Sequence, residues 1–418
     1  MLTIKNGKVF MGGSLVNADI YIENDTITQI APGLEPKGDV IDAAGKIVSH
    51  GFIDMHVHLR EPGFEHKETI KTGSAAAAKG GFTTICPMPN LNPVPDTVAN
   101  VQYQLDLYEK DGCINIFPFA SITMGEKGKE IVNIIDIAPY VTGFSDDGKG
   151  IQTEEMMDKV MMIAGETGVL ISAHCEDEAL LNGGYIHEGV YSKANGHKGI
   201  VSECEYGQVV RDIALAEKYG ARYHVCHISA KESIEAVRNA KAKGSLVTCE
   251  VTPHHIALCD TDITEDHGRF KMNPPLRDAS DREAILNGIL DGTIDCIATD
   301  HAPHSVEDKS KGLANSAMGI VGSETAFAVS YTALCKEHGV PVETLLELMT
   351  KAGKIIGVEY DLREGAKADI VILDTEEKYT INSSDFVSMG KCTPFDGMEV
   401  QGRVTHTIVG GKEVYKYE

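Results

Sequence analysis

The sequence predicts an α/β protein: a (β/α)8 TIM barrel carrying a small β-sandwich domain formed by both termini. Three observations carry this. Both ends of the chain read as short alternating strands with turns. The long middle alternates short apolar strands with helical patterns eight times, the signature of parallel βα units. Nearly every one of those eight strands closes on polar or ionisable residues, and barrels build active sites at that end.

Taken in order, residues 1–48 supply the first part of the β-domain. The stretches LTIKNGKVF, ADIYIENDTITQI and DVIDAAGKIV alternate as strands do, and Asn6-Gly7, Glu23-Asn24-Asp25 and Ala44-Gly45 offer turn chemistry. Residues 49–360 hold the barrel. Its strands are FIDMHVHL, TTICPMPN, INIFPFASI, YVTGFSDD, VLISAHCED, YHVCHIS, LVTCEVTP and DCIATDH. Helical stretches lie between them, such as 153–168 and 209–220, the latter closed by the C-cap glycine Gly220. Gly80-Gly81 reads as a helix end before the second strand. Residues 361–418 complete the β-domain with ADIVILDTEEKYTI and a hairpin turning at Gly410-Gly411.

The bulk numbers narrow the function. The chain has 418 residues, 42% hydrophobic and 24% charged, as ordinary globular proteins do. Its net charge of −24 argues against nucleic acid or an anionic membrane as partner. A small anionic substrate stays open, because a local cationic cluster can override the global field. No window holds 18 uninterrupted apolar residues, and the N-terminus lacks a signal-peptide core. The ten cysteines form no CxxC pair, so reduced thiols in a cytoplasmic protein are expected.

The strand ends carry the chemistry. His56 and His58 lie two residues apart, so a strand projects both imidazoles to one side, as a metal site requires. Arg60 shares their parity and offers a bidentate fork to a carboxylate. Asn90 follows the second strand, Asp146 and Asp147 close the fourth, His174 the fifth, His227 the sixth and Asp300 the eighth. Four imidazoles and two carboxylates suit zinc or a similar ion. They are too many for one tetrahedral ion with an open position, and two ions sharing a carboxylate use them naturally. Residues 305–318 are polar and lack periodicity, which suggests a mobile segment over the site mouth. His254-His255 and the cysteines Cys175, Cys226 and Cys249 read as packing groups, and MMDKVMMIAGE as a helix face.

The motifs HVHLREPG (56–63), PMPN (87–90), FSDDG (144–148), SAHCED (172–177), CHIS (226–229), CEVTPHH (249–255), MNPPLR (272–277) and TDHAPH (299–304) give the chain a family likeness over its whole length. It resembles the amidohydrolase superfamily and, within it, the dihydroorotases. The resemblance implies reversible hydrolysis of L-dihydroorotate to N-carbamoyl-L-aspartate in pyrimidine biosynthesis, with two zinc ions per subunit. It implies that His56, His58 and Asp300 hold one ion, that His174 and His227 hold the other, and that Asp147 bridges them. Many relatives bridge with a carboxylated lysine. Here Asp147 fits the spacing, with Asp146 and Lys149 as alternatives. A water shared by the ions would attack the ring amide, and Asp300 would act as general acid and base. Arg60, Asn90 and His304 would bind the substrate carboxylate, and Asn273 with the backbone of Met318 and Gly319 the ring. A homodimer is expected, and association with aspartate transcarbamoylase is compatible with the likeness. The rival readings are a hydantoinase or allantoinase, and an inactive scaffold; retention of all six ligand positions disfavours the scaffold.

Overall fold

The computed structural model describes all 418 residues. Its centre is a ring of eight parallel strands. They are Phe52–Val57, Phe82–Pro87, a third split at Pro118 into Asn115–Ile116 and Phe119–Ala120, Gly143–Phe144, Leu170–Ala173, Arg222–Val225, Val247–Val251 and Cys296–Ile297. Each pairs with the next. The ring closes where Val57 bridges His301 and the His58 amide donates to the His301 carbonyl at 2.9 Å. These strands are buried on both faces, which is why they read as apolar runs rather than as an alternation.

Capping residues set the helix limits. Glu154–Thr167 starts on Thr153, whose side chain accepts from the Met156 amide, and stops at left-handed Gly168. Glu203–Tyr219 ends at left-handed Gly220 as expected, but begins six residues before position 209. Its first turns hold polar residues, and Glu205 among them is buried and paired, so the apolar period misses them. Gly80 caps Ile70–Lys79.

The two ends of the chain form one eight-stranded sheet. Strands from Leu2–Met11 to Ile47–His50 join Ile370–Thr380, Glu399–Val409 and Lys412–Lys416, with Ile370–Thr380 antiparallel to Ile47–His50. The sheet curls until Thr26 bridges Lys367, closing around a core that includes Ile4, Ile20, Ile27, Val48, Ile370 and Ile408. The sandwich is therefore a single sheet folded on itself. Asn6-Gly7 departs from the expected turn: the first strand runs through it as a bulge, with Asn6 at φ 61°. Gly7 is needed there because a Cβ would lie 2.6 Å from Val48 Cγ2. The hairpin turn falls at Gly12-Gly13 instead. Gly410-Gly411 turns the last hairpin, both residues left-handed.

Three remote segments cover the C-terminal mouth of the barrel: 178–202, 258–277 and 305–320. They share a small core in which Ile186, Phe270, Met272, Leu313 and Ile320 are buried. Residues 305–318, read as an aperiodic segment over the site mouth, contain the short helices Val306–Lys309 and Gly312–Asn315. Their inward groups, Leu313 and Lys309, are fully sequestered.

Candidate active site

The six candidate ligands reach the barrel mouth from five strands. His56 and His58 leave the first strand on one side, and their ring centroids lie 5.5 Å apart. Three site residues, Arg60, His227 and Asp300, adopt left-handed backbone conformations at φ 64°, 31° and 46°. Non-glycine residues take that conformation at a cost, and here it turns side chains into the mouth.

Two sets of atoms converge. His56 Nε2 lies 3.3 Å from Asp147 Oδ1 and 3.7 Å from Asp300 Oδ1. His58 Nε2 lies 3.5 Å from Asp147 Oδ2 and 3.1 Å from Asp300 Oδ1. His174 Nδ1 and His227 Nε2 approach to 2.9 Å and stand 3.8 and 4.0 Å from Asp147 Oδ1, the oxygen that also faces His56. Ligands around a tetrahedral zinc, with bonds of about 2.0–2.1 Å, sit roughly 3.3 Å apart. The first set matches that spacing. Moreover His56 Nε2 and Asp147 Oδ1 are buried without any hydrogen-bond partner. Buried polar atoms are normally satisfied, so these two suit a cation. The residues fit a metal centre.

The alternatives to Asp147 face elsewhere. Asp146 accepts from the amides of Ile122 and Thr123 at 2.8 and 3.0 Å and from the Thr123 hydroxyl. Lys149 points to Glu126, 3.6 Å away, with its side chain half exposed.

Electrostatics follows from this crowding. Burial alone would raise the Asp147 and Asp300 carboxyls, but neighbouring imidazoles hold both well below the usual range. Burial likewise opposes charge on His56, yet Asp147 and Glu250 push it well above 6.5. His227 goes the other way, down to about 3, through burial and then its cationic neighbours His174 and His56.

All the candidate residues except His56 line one cavity of about 300 Å³. On one side stand Arg60, Asn90 and His304. Arg60 Nε donates to the Pro303 carbonyl at 3.2 Å and Nη2 lies 3.3 Å from His304 Nε2, leaving Nη1 free. Burial lowers its pKa to about 10, so it remains charged at neutral pH. Asn90 Oδ1 accepts from His58 Nδ1 at 2.9 Å, and its amide nitrogen faces Asp147 Oδ2 at 3.4 Å. His304 is pushed down to about 3 by burial and then by Arg60, and its Nε2 donates to the Met318 carbonyl at 2.7 Å. Across the cavity Asn273 donates to Glu176 at 2.5 Å.

Two groups in this site escaped the sequence reading. Glu250 accepts from His56 Nδ1 at 2.8 Å and lies 3.2 Å from His224 Nε2, wholly buried. It fixes the His56 ring so that Nε2 faces the carboxylates. Its signal was a lone acid in an otherwise apolar strand. Glu176 lines the cavity and orients Asn273, and no local pattern marks it. His254 and His255 are buried outside the ligand sets, His255 bonding Thr252 and the Pro274 carbonyl.

A barrel whose mouth gathers four imidazoles and two carboxylates beside a half-buried arginine defines a metal-dependent cyclic amide hydrolase of the amidohydrolase type. Comparisons with known proteins narrow the class. The family model described as dihydro-orotase-like matches residues 45–233. A dihydroorotase of Fusobacterium nucleatum is 48% identical over 417 residues, spanning 99% of this chain and 98% of its own. One of Staphylococcus aureus is 48% identical with the same coverage, and one of Macrococcus caseolyticus 46%. Among solved structures, an L-hydantoinase (dihydropyrimidinase) of Arthrobacter aurescens superposes with a TM-score of 0.90 at 24% identity, covering 99% of this chain and 96% of its own. A D-hydantoinase (dihydropyrimidinase) of a Thermus species gives 0.83 at 27%, covering 100% and 96%. The chain belongs to the dihydroorotase family.

Proposed function

We propose that this protein interconverts L-dihydroorotate and N-carbamoyl-L-aspartate, the cyclic amide step of de novo pyrimidine synthesis, with two zinc ions per chain. The observation that carries the reading is the Arg60 guanidinium standing beside Asn90 in the same 300 Å³ cavity as the carboxylate and imidazole cluster. That pairing suits a ring amide bearing a carboxylate; hydantoin and allantoin lack one.

His56, His58 and Asp300 would hold one ion, His174 and His227 the other, and Asp147 both. Bound there, the metal supplies Lewis acidity and an acidified water. The chain's own residues do the rest. Arg60 and Asn90 seat the carboxylate, His304 closes that side, and Asn273 with the Met318-Gly319 backbone holds the ring. Asp300, kept ionised by His58 and His56, accepts the proton of the attacking water. The water oxygen bonds the ring carbonyl carbon, the carbon–nitrogen bond breaks, and Asp300 returns the proton to the departing nitrogen. Ring closure uses the same groups in reverse.

The likeness also supports a homodimer in the cytoplasm, with aspartate transcarbamoylase as a candidate partner; light scattering checks the first. No helix is long and apolar enough to cross a membrane. The deciding experiment compares turnover of dihydroorotate, hydantoin and allantoin by zinc-loaded protein. Preference for dihydroorotate by 100-fold or more in kcat/KM is expected. Turnover of either other ring with dihydroorotate inert would overturn the reading.

A further inference from the structure

Lys309 is a lysine only 2% exposed in a segment composed like a surface loop. Its ammonium donates to three backbone carbonyls: Gly319 at 2.6 Å, Ala317 at 2.7 Å and Lys271 at 3.0 Å. An ammonium has three donors, so all are satisfied by these carbonyls. A buried cation held by carbonyls alone is costly, and a loop needing only to be tied down could use an apolar anchor.

The three carbonyls belong to two segments that wall the cavity. Lys271 lies two residues before Asn273, and Ala317 and Gly319 flank Met318. The Gly319 amide donates back to the Lys271 carbonyl at 3.1 Å, knitting the two segments together. A trans peptide points its C=O and N–H in opposite directions. With the Ala317 carbonyl turned to Lys309, the Met318 N–H of that peptide points away from it. The next peptide is reversed: its Gly319 N–H faces Lys271 and its Met318 carbonyl meets His304 in the cavity. The Met318 N–H thus shares the cavity side and takes part in no hydrogen bond within the protein. Only glycine fits at 319 in this arrangement, because its φ is 117° and a Cβ there would lie 2.7 Å from Ala302 Cβ.

We propose that Lys309 is a positioning residue of the ring subsite: by holding the Ala317, Gly319 and Lys271 carbonyls it turns the Met318 N–H into the cavity as a neutral donor to a ring carbonyl oxygen of the substrate. The proposal rests on the dihydroorotate reading of the site. It concerns binding rather than chemistry, so Lys309 acts on KM.

The test measures steady-state kinetics of zinc-loaded full-length protein, wild type and Lys309→Met, with metal content determined for each. The expected result is a KM for dihydroorotate raised about tenfold, with kcat per loaded site within twofold. Lys309→Arg, which keeps the charge and donors, should recover part of the loss. A merely structural lysine would lower thermal stability and the loaded fraction while leaving KM alone, and an unchanged KM would overturn the proposal. If Lys309→Met does not fold, the wild-type pH profile decides. Burial lowers the Lys309 pKa to about 8, with Lys271 lowering it further and Cys392 and Asp308 opposing. KM should then climb severalfold between pH 7.5 and 9.5 while kcat does not fall in parallel; a flat KM would overturn the proposal. Wild-type protein inert on dihydroorotate would instead sink the functional reading.

Discussion

At the scale of single residues, the imidazoles of the site favour protons on the atoms that would face a cation. Asp147 and Glu250 raise His56 despite its burial, and Glu176 with Asp147 raises His174. A raised pKa favours the protonated ring, most strongly at His56, so a cation binding these nitrogens competes with protons. The sign follows: a raised pKa makes metal binding proton-releasing, so apparent affinity climbs with pH. Chelator-competition titrations should show zinc binding at least tenfold tighter at pH 8 than at pH 6.5, with proton release in weakly buffered solution. Equal affinity at the two pH values would mean that these imidazoles are not ligands. Arg60 gives the complementary prediction for substrate. A hydrogen bond between charged groups contributes about 1.5–3 kcal/mol, so Arg60→Met should raise KM for dihydroorotate roughly 10–150-fold. Zinc content should stay at the wild-type level, since Arg60 touches no ligand. A lost metal complement would place Arg60 in the metal site instead.

At the scale of elements, MNPPLR carries a role that its likeness did not disclose. Arg277 closes that motif, and its guanidinium meets Glu205 at 3.1 Å and the Ser229 hydroxyl at 2.9 Å, all buried. Glu205 also accepts from the amides of Ser229 and Ala230 at 3.0 and 2.9 Å. One ion pair thus joins the helix Glu203–Tyr219, the end of the sixth barrel strand and the cap segment leading to Asn273. Burial would raise Glu205, but Arg277 and these hydrogen bonds hold it near 2. A depressed carboxylate stabilises the fold fully above its ordinary pKa of 4.5, and the contribution fades as pH falls from there toward 2. Arg277→Met should therefore cost about 3–5 kcal/mol at pH 7. The gap to wild type should narrow at pH 3, where Glu205 of the variant is neutral. Urea midpoints at both pH values check this, and a gap that does not depend on pH would count against the pair. The same elements show what the sequence disclosed and what it did not. Barrel strands and the His-x-His, Asp147, His174, His227 and Asp300 positions were legible because strand ends are local, and period 2 fixes the side a residue takes. Lys309, Glu176 and Arg277 were not, because their partners lie in segments distant along the chain. Charged residues that become buried look, in composition, like surface. Asn6-Gly7 failed for a related reason: turn and bulge share the same local chemistry, and only packing on Val48 separates them.

At the scale of the whole molecule, the site is also a structural joint. The six candidate ligands hang from the first, fourth, fifth, sixth and eighth strands, so metal bound across the whole set would tie together five of eight staves. The first strand continues the chain of the terminal sheet, whose strand Ile370–Thr380 pairs with Ile47–His50. Val371 of that sheet lies under Gly81, and the Thr407 hydroxyl donates to the Ala78 carbonyl at 2.7 Å, at the base of the second strand. Loosening the barrel therefore loosens the sheet. A ligand at about 1,000 times its Kd stabilises the native state by about 4 kcal/mol. For a chain of this size that corresponds to a shift in Tm of roughly 5 °C. Chelator-stripped protein should accordingly melt several degrees lower than zinc-loaded protein, and calorimetry should show barrel and sheet unfolding in one transition in both states. Restoring zinc should restore the higher Tm. A stripped protein with unchanged Tm would remove the cation from this joint. A separate early transition for the sheet would show that the termini fold apart from the barrel.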